Sequence, residues 1–304
     1  MLSKIYALLN YCYEDNAGDK LPDIKLQLFL IAAKSLMPFE DNIGCLFDVT
    51  RYKNEIELFK CYKNGQDYNL EYYFENNKQS ENEDELLEYK IIPVVVTNTQ
   101  WENLINETLI AATFCSTNKN TMLNTILISS VINEYLNEEN LDIENINEIT
   151  KQRLISFSLK DFFKTNDIQI NKGDLIEFEK ERIKMLSKNE LITDELKKKF
   201  KSLNYIYNEG TVEKTEITEI TEKTCETVLS SFSSYLYKLR KGVISPEKLK
   251  IQPCNIPEIK EFLKYSAFTH PLLGKCKVIK REEKEVILKN KTGIIKVNIW
   301  KLYL

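Results

Sequence analysis

The hydrophobic positions in the first part of the chain recur with the period of an α-helix. Residues 2–13 carry apolar side chains at every third or fourth position, which predicts an amphipathic helix with one buried face. Residues 22–37 are apolar on most sides, so this pattern predicts a helix deep in the core. Pro22 suits the first turn of that helix, and Pro38 ends it.

The helical period continues through the middle of the chain. It predicts helices over about 101–112 and 119–136, and a later helix over 225–241 that ends in basic residues before Gly242. Only 8 glycines and 7 prolines interrupt 304 residues, which favours long helices over a many-stranded fold. The chain up to about residue 268 is therefore predicted to be a mainly α, bundle-like domain.

From about residue 272 the hydrophobic residues alternate instead of following the helical period. The alternation predicts three short strands, with a hairpin turn over 290–293 between the last two. A sheet this small needs support, so we expect it to pack on the helical domain or to curl into a partial SH3-like barrel. The predicted domains are a helical domain over 1–268 and an antiparallel β module over 271–304.

Charge and cysteine content argue against a protein that binds nucleic acid or lipid through its overall charge, and against a disulfide-stabilised secreted protein. The net charge of −4, from 42 basic and 46 acidic residues, gives no overall attraction to nucleic acid or anionic lipid. Seven cysteines without a CxxC pair indicate a cytoplasmic chain rather than a disulfide-stabilised secreted one. The most apolar stretch, 24–33, is too short to cross a bilayer and contains Lys25 and Gln27, so we expect no membrane partner.

The sequence lacks the residues and motifs of most well-known catalytic sites. His270 is the only histidine, which excludes a zinc site built on histidine pairs, and we expect it to contact backbone or water. The sequence has no GxSxG, no GxxxxGK[ST] and no GxGxxG motif. The acidic, asparagine-rich stretch 75–88 is predicted to be an exposed loop.

Carboxylate chemistry is the remaining possibility. Asp19 and Asp23 flank the predicted start of the second helix. Acidic residues at that position complement the helix dipole, which is a purely structural role. The functional alternative is that they project into a cleft and bind a divalent cation, because carboxylate oxygens are hard ligands.

Two segments resemble the ADP-ribosylglycohydrolase family. The run over 22–30 resembles that family's metal-binding helix start, where a Thr-Asp-Asp-Thr motif precedes an apolar helix, and 18–22 alternatively resembles its Gly-Asp-Ala-Leu-Gly segment. Residues 224–233 and 241–246 are similar to its Asp-Thr-Asp-Thr motif, small-residue helix and Ile-Pro segment. The resemblance implies an all-α fold whose central cleft holds two Mg²⁺ ions and cleaves ADP-ribose from proteins or small molecules.

The chain departs from both family motifs. Leu21 and Pro22 stand where the first motif has Thr and Asp, and the second lacks Asp at both expected places. Because two Mg²⁺ ions need several carboxylates, we expect a non-catalytic relative that binds a ligand or a protein partner. The resemblance gives five candidate ligand-binding residues, of which Asp23 and Glu226 are the candidate metal ligands: Asp19, Asp23, Thr224, Glu226 and Thr227.

No cofactor is expected, and Mg²⁺ enters only under a further alternative, an active ADP-ribosyl hydrolase with altered metal ligands. That alternative would need the remaining carboxylates to meet in one cleft.

The C-terminal module is basic, although the chain as a whole is slightly acidic. Residues 271–304 contain nine basic and three acidic residues, a net charge of +6. One interpretation, which we favour at this point, is a solvated sheet face whose lysines protect the edges from aggregation. The alternative is an adaptor for single-stranded nucleic acid or for a protein, with candidate nucleic-acid contacts at Lys275, Lys277, Lys289, Lys291 and Trp300.

Overall fold

The protein is a mainly helical domain with a C-terminal antiparallel sheet. The computed structural model describes residues 1–13, 21–138, 141–169, 171–209, 227–249 and 256–299. Within these ranges there are fourteen α-helices: α1 (Leu2–Cys12), α2 (Ile24–Lys34), α3 (Val49–Phe59), α4 (Tyr68–Asn76), α5 (Leu87–Thr97), α6 (Trp101–Ala112), α7 (Lys119–Asn137), α8 (Ile143–Ser156), α9 (Leu159–Thr165), α10 (Lys172–Leu186), α11 (Asp194–Lys199), α12 (Lys201–Asn204), α13 (Val228–Arg240) and α14 (Ile259–Phe262).

Two sheets accompany the helices. A short hairpin within the helical domain pairs β1 (Leu36–Pro38) with β2 (Cys45–Phe47). The C-terminal sheet contains β3 (Ala267–His270), β4 (Gly274–Arg281), β5 (Glu285–Asn290) and β6 (Gly293–Asn298), each antiparallel to the next along the chain. A π-helical turn, Tyr205–Glu209, follows α12, and a 3₁₀ turn, Pro246–Lys248, follows α13.

The core of the helical domain is organised around α5. All eleven residues of this helix are buried, and it packs against α2, α6, α7 and α13. The run from Ile91 to Val96 is apolar on every side and has no face to offer water, which explains the burial of this part of the helix. Pro93 lies inside α5, where its ring removes one backbone donor.

A buried ion cluster lies beside the first turns of α5. The Lys90 ammonium is 2.6 Å from a carboxylate oxygen of Asp67 and 2.7 Å from one of Asp84. Burial opposes the charge of Lys90, but the two carboxylates outweigh it and raise the pKa of Lys90 above its ordinary value. Each carboxylate also accepts backbone N–H groups, from Asn69 and Leu70 at Asp67 and from Leu86 at Asp84.

This cluster corrects part of the prediction of an exposed loop over 75–88. Residues 75–79, 81, 82 and 85 are exposed as predicted, but the stretch also contains buried residues. The α4 helix runs to Asn76, Ser80 forms a bridge with Ser116, and Asp84 is buried. The acidic composition of the stretch suggests solvent exposure, whereas two of its carboxylates, Asp84 and Glu88, are buried and accept hydrogen bonds from specific donors.

The C-terminal sheet has four strands rather than the three predicted. The additional strand, β3, starts before the predicted module, and its residues Phe268 and His270 pair with Cys276 and Gly274. The predicted hairpin turn is present, with Asn290 opposite Gly293 across the β5–β6 turn. The inward side chains of the sheet belong to the same hydrophobic core as the helices: Cys276, Val286, Leu288, Ile295 and Val297.

Two polar contacts tie the sheet to the helical domain. Lys34 of α2 donates to the Leu272 carbonyl over 3.3 Å, and its ammonium also pairs with the buried Glu55 carboxylate. The Asn298 N–H donates to the Cys61 carbonyl over 2.8 Å. The sheet therefore packs on the helices, as we expected for so small a β module.

The helix predictions for the early, middle and late parts of the chain are confirmed by α1, α2, α6, α7 and α13. The predicted limits of α2 were wrong at both ends. Asp23 caps the helix, so Pro22 precedes its first turn, and the helix ends at Lys34, so Pro38 belongs to β1. The expected glycine terminator of α13 is also present, since Gly242 has a φ of +65° and its N–H donates to Leu239. Among the helices that the structure describes, none combines the length and the hydrophobicity needed to cross a bilayer.

We predict that the Lys90 cluster contributes strongly to stability. Lys90→Met leaves two buried carboxylates without their cation and should lower the free energy of unfolding by about 3–5 kcal/mol, measured by urea denaturation. Adding Asp67→Asn and Asp84→Asn should recover at least half of this loss, because the amide oxygens retain the backbone hydrogen bonds without the charge. The matched control is Lys78→Met at an exposed lysine; equal losses in the two lysine variants would refute the prediction.

Candidate functional site

The α2 and α5 helices begin at the same end of the domain. Lys25, in the first turn of α2, holds its ammonium 5.2 Å from the centre of the Tyr89 ring, in the first turn of α5. Tyr13, which follows α1, reaches the same place, with its ring centre 5.5 Å from that of Tyr89. The end of α1 and the starts of α2 and α5 therefore meet.

The α13 helix runs in the same direction as α5. Arg240, its last residue, donates to the Val96 and Asn98 carbonyls at the end of α5, over 3.0 and 2.7 Å. Phe232, in the second turn of α13, lies with its ring centre 5.8 Å from that of Phe29 in α2. The start of α13 therefore lies toward the end where α2 and α5 also begin.

We call this end the helix-start face and define it by Tyr13, Asp23, Lys25, Tyr89 and Thr227. Two of the five are residues that the sequence analysis selected. The backbone N–H groups at the start of a helix carry a partial positive charge, so several helix starts at one end favour negatively charged ligands.

Asp23 and Thr227 both act as helix caps. An Asp23 carboxylate oxygen accepts the Leu26 N–H over 2.9 Å, and the Thr227 hydroxyl accepts the Ser230 N–H over 3.1 Å. Aspartate and threonine favour this position because their side-chain oxygens satisfy donors that have no partner within the helix. The structure thus gives each of these two family-based candidates a structural role, Asp23 at the start of α2 and Thr227 at the start of α13.

The start of α2 is held by a neighbouring loop. The Asn64 side chain donates to the Pro22 carbonyl over 2.9 Å, and the Gln27 side chain bridges the Tyr62 carbonyl and the Asn64 N–H. Gly65 has a φ of +133° and packs so closely that a Cβ there would lie 2.8 Å from the Cβ of Ile24. Asp23 and Lys25 are therefore presented from a well-braced helix start.

Glu88 is a buried carboxylate beneath the helix-start face that the sequence analysis missed. Its two oxygens accept the Lys201 and Ser202 N–H groups over 2.9 and 3.0 Å, and the Ser202 hydroxyl over 2.8 Å. Burial raises the pKa of Glu88, although these three donors act in the opposite direction. Glu88 therefore serves as the cap of α12, supplied from a different helix.

The tyrosines of the face are held in apolar surroundings. The Tyr13 ring packs against Phe29 with ring centres 4.6 Å apart, and its buried hydroxyl has no hydrogen-bond partner among the described residues. Burial raises the pKa of Tyr13, with smaller contributions from nearby negative groups that include Glu88 and Asp23. Both Tyr13 and Tyr89 therefore stay neutral near physiological pH and can act as hydrogen-bond donors.

Lys25 occupies an electrostatically unfavourable position. A lysine in the first turn of a helix adds positive charge to the end that is already positive, where acidic residues are preferred. The half-buried side chain is held there over the Tyr89 ring, a cation–π contact. Its position increases the positive potential of the face.

The remaining family-based candidates, Asp19, Thr224 and Glu226, lie outside the described residues, as does Trp300. Asp19 belongs to the segment between Tyr13 and α2. Thr224 and Glu226 belong to the segment that leads into Thr227.

A pair of Mg²⁺ ions does not fit the described carboxylates of this face. One Asp23 oxygen is used by the helix cap, and both Glu88 oxygens are used at the start of α12. Over the parts of the chain with described coordinates, no group of three or more His, Cys, Asp and Glu side chains is arranged to hold a metal ion. Two-metal chemistry needs more carboxylate oxygens than these two residues can offer.

His270 has the structural role that its isolation in the sequence suggested. It is buried at the end of β3, where its Nδ1 accepts the Leu272 N–H over 3.2 Å and its Nε2 lies 3.3 Å from the Pro257 carbonyl. Burial lowers the pKa of His270, so the ring is neutral and Nε2 carries the proton donated to Pro257.

A separate open cleft of about 490 Å³ lies between α8, the end of α10 and the π-helical turn. Tyr207 of that turn donates its hydroxyl to the Asn147 side chain over 2.5 Å, and burial raises the pKa of Tyr207. Acidic and basic side chains are equally numerous in its lining: Glu144, Glu148, Glu190, Lys151, Lys188 and Lys197. Because this lining favours neither anions nor cations, we assign the cleft no ligand.

Comparison with known proteins identifies no relative of this chain. No protein-family model matches the sequence, and neither the curated proteins nor the solved structures contain a match. The geometry of the helix-start face therefore carries the functional argument.

We predict that Asp23 acts as a helix cap rather than as a metal ligand. Asp23→Ala removes the acceptor of the Leu26 N–H and should lower the free energy of unfolding by about 1 kcal/mol, whereas Asp23→Asn keeps an acceptor and should change it by less than about 0.5 kcal/mol. Thermal unfolding with and without Mg²⁺ checks this. A stabilisation by Mg²⁺ that both variants abolish would contradict the capping role.

Proposed function

We propose that this protein is a non-catalytic relative of the ADP-ribosylglycohydrolases that binds a small anionic ligand of the ADP-ribose type at its helix-start face. The observation that carries the proposal is the gathering of three helix starts, those of α2, α5 and α13, at one end of the domain. The two segments that resemble the family motifs lead into two of these helix starts.

The charges and donors of the face support an anionic ligand. Helix N-termini bind phosphate through backbone N–H groups and the helix dipole, and Lys25 adds a full positive charge at the start of α2. The Tyr13 hydroxyl is a buried donor without a partner in the described structure. A diphosphate ligand would offset the repulsion between Lys25 and its own helix.

The proposal of binding without hydrolysis rests on how the carboxylates are used. Asp23 and Glu88 are committed to helix caps, and glycoside cleavage needs acidic groups that can hold metal ions or transfer protons. In this proposal the described residues bind and orient the ligand, and none of them activates water.

Two further assignments belong to the same proposal. We assign the C-terminal sheet to an SH3-like partial barrel, and the bulge in β4 between Val278 and Lys280 supports it, because a bulge increases the curl of a sheet. We assign the protein to the cytoplasm on the cysteine pattern, and the buried thiols of Cys12, Cys45, Cys115 and Cys276 form no disulfide.

Isothermal titration calorimetry with ADP-ribose tests the function. We expect binding without Mg²⁺, and we expect Lys25→Gln to weaken it at least tenfold, which corresponds to about 1.4 kcal/mol, because the charge facing the ligand is lost. Lys53→Gln, at an exposed lysine of α3, is the matched control and should bind like the unaltered protein.

Three results would contradict the proposal. If calorimetry detects no heat of binding with ADP-ribose, the proposed ligand is wrong. If Lys25→Gln binds ADP-ribose as tightly as the unaltered protein, the proposed site is wrong. Release of ADP-ribose from a modified protein substrate, measured on the full chain with Mg²⁺, would show an active hydrolase and overturn the non-catalytic assignment.

A further inference from the structure

The edge of the C-terminal sheet that β3 forms lacks most of the usual protection. Among the strands that the structure describes, β3 has a neighbour on one side only, because the strand order is β3-β4-β5-β6. Proteins commonly protect such an edge with lysine, proline or a bulge, because its free N–H and C=O groups can pair with another chain. The sequence of β3, Ala-Phe-Thr-His, contains neither lysine nor proline, and its pairing with β4 is regular. Its short length is protective, but it still leaves room for one short added strand.

The outward backbone groups of β3 belong to Ala267 and Thr269. The Val278 N–H donates to the Ser266 carbonyl over 2.8 Å, which fixes the bonding pattern between β3 and β4. In an antiparallel pair every second residue exchanges hydrogen bonds with the neighbouring strand, so Phe268 bonds to β4 as Ser266 does. Ala267 and Thr269 therefore point their N–H and C=O groups away from β4 and offer two donors and two acceptors to an added strand.

The Phe268 side chain is incompletely covered. It lies on the inner face of the sheet, where its ring centre is 5.4 Å from that of Phe262. Val286 and Leu288, the inward side chains of β5, are buried, whereas Phe268 is only half-buried. Because alternate residues of a strand lie on one face, every second side chain of an added strand can extend the cover over Phe268.

The outer face beside β3 carries two unpaired lysines. Lys277 of β4 lies in register with Ala267, and Lys275 lies in register with Thr269. Both lysines are exposed, and within the described ranges neither forms an ion pair. Ala267 and Thr269 are small, so acidic side chains of an added strand, two strand spacings of about 4.8 Å away, can reach across them to the ammonium groups. Lys289, which faces Lys277 from β5, has an interaction of its own and is not part of this site.

We propose that the edge of β3 binds an extended acidic segment of a partner protein, which joins the sheet as a fifth strand. The backbone of the segment pairs with Ala267 and Thr269. Its apolar residues cover Phe268, and its acidic residues face Lys275 and Lys277. In this mode of recognition the main-chain hydrogen bonds supply affinity and the alternate side chains supply specificity.

The charges and the backbone groups select this occupant over two others. A second copy of this chain would bring the same lysines to the edge and no acidic residue in β3, so its pairing is electrostatically unfavourable. A nucleic acid supplies negative charge but no backbone that can pair with a strand. The proposal does not depend on the ligand of the helix-start face.

Fluorescence anisotropy with the full chain and two labelled peptides tests strand addition. The probe Glu-Val-Glu-Val-Glu-Val-Glu places acidic and apolar side chains on opposite faces of a strand. Glu-Pro-Glu-Pro-Glu-Pro-Glu has the same charge but lacks the N–H groups that a strand needs. We expect the Glu-Val peptide to bind at least tenfold more tightly than the Glu-Pro peptide. Equal affinities would show simple charge attraction and overturn strand addition, and a dissociation constant above about 1 mM for the Glu-Val peptide would overturn the acidic partner.

Two double variants test the lysines. Lys275→Gln/Lys277→Gln should weaken binding of the Glu-Val peptide at least tenfold, because both charges that face it are lost. Lys284→Gln/Lys291→Gln removes two exposed lysines from the turns on either side of β5 and is the matched control, expected to change the affinity less than threefold. Equal losses in the two variants, with unchanged circular dichroism and thermal midpoints, would overturn the role of the β4 lysines.

Amide hydrogen exchange, followed by nuclear magnetic resonance on the unaltered protein, tests the position of the added strand. The Ala267 and Thr269 N–H groups should exchange at least tenfold more slowly with the Glu-Val peptide bound, because both then donate to its carbonyls. Unchanged exchange at saturating peptide would overturn the β3 edge as the site. A dimer that forms without peptide and slows the same two amides would show that a second copy occupies the edge, which would also overturn the proposal.

Discussion

The fold depends on the burial of α5. A helix cut off from water on every side cannot leave the polar groups at its ends to the solvent, because an unpaired buried donor or acceptor costs about 1–3 kcal/mol. At its end, Arg240 from α13 reaches the carbonyls of Val96 and Asn98. At its start, Glu88 and Lys90 are charged side chains of the helix itself, and both are fully engaged with neighbouring segments.

These end contacts also set the direction of the surrounding helices. Arg240 can reach the last carbonyls of α5 only if α13 ends beside α5, and Lys25 can reach Tyr89 only if α2 begins beside it. Helices that share a direction add their dipoles instead of cancelling them. The potential that favours an anionic ligand at the helix-start face is therefore a result of how the central helix was enclosed.

The sequence was sufficient where hydrophobic spacing determines the structure. The α2 helix follows from its nearly continuous apolar run, the α13 helix follows from its apolar period, and the β5–β6 hairpin follows from its turn residues. Charged residues that are buried were misjudged, since Asp84 and Glu88 in an acidic stretch and Arg240 in a last turn look like surface positions. The partners of Glu88 and Arg240 are distant in sequence, for example Lys201 and Val96, and no local pattern encodes such pairs.

The candidate site also combines features that the sequence predicts with features that only coordinates reveal. Asp23 and Thr227 could be selected because caps and metal ligands use the same residue types, but only coordinates distinguish the two roles. The four-stranded order of the C-terminal sheet was not predictable, because β3 is only four residues long and its sequence, Ala-Phe-Thr-His, does not alternate apolar and polar residues. Without β3 the lysines of β4 would lie on an edge strand.

The enclosure of α5 also affects how the protein opens. Local fluctuations usually begin where backbone hydrogen bonds face water or where few apolar contacts must be broken, and α5 offers neither condition. Withdrawing this helix would expose the Lys90 cluster and release Arg240 at the same time. Amide hydrogens of α5 can therefore exchange with solvent only when the whole helical domain unfolds, so their exchange rate reports the global stability of the domain.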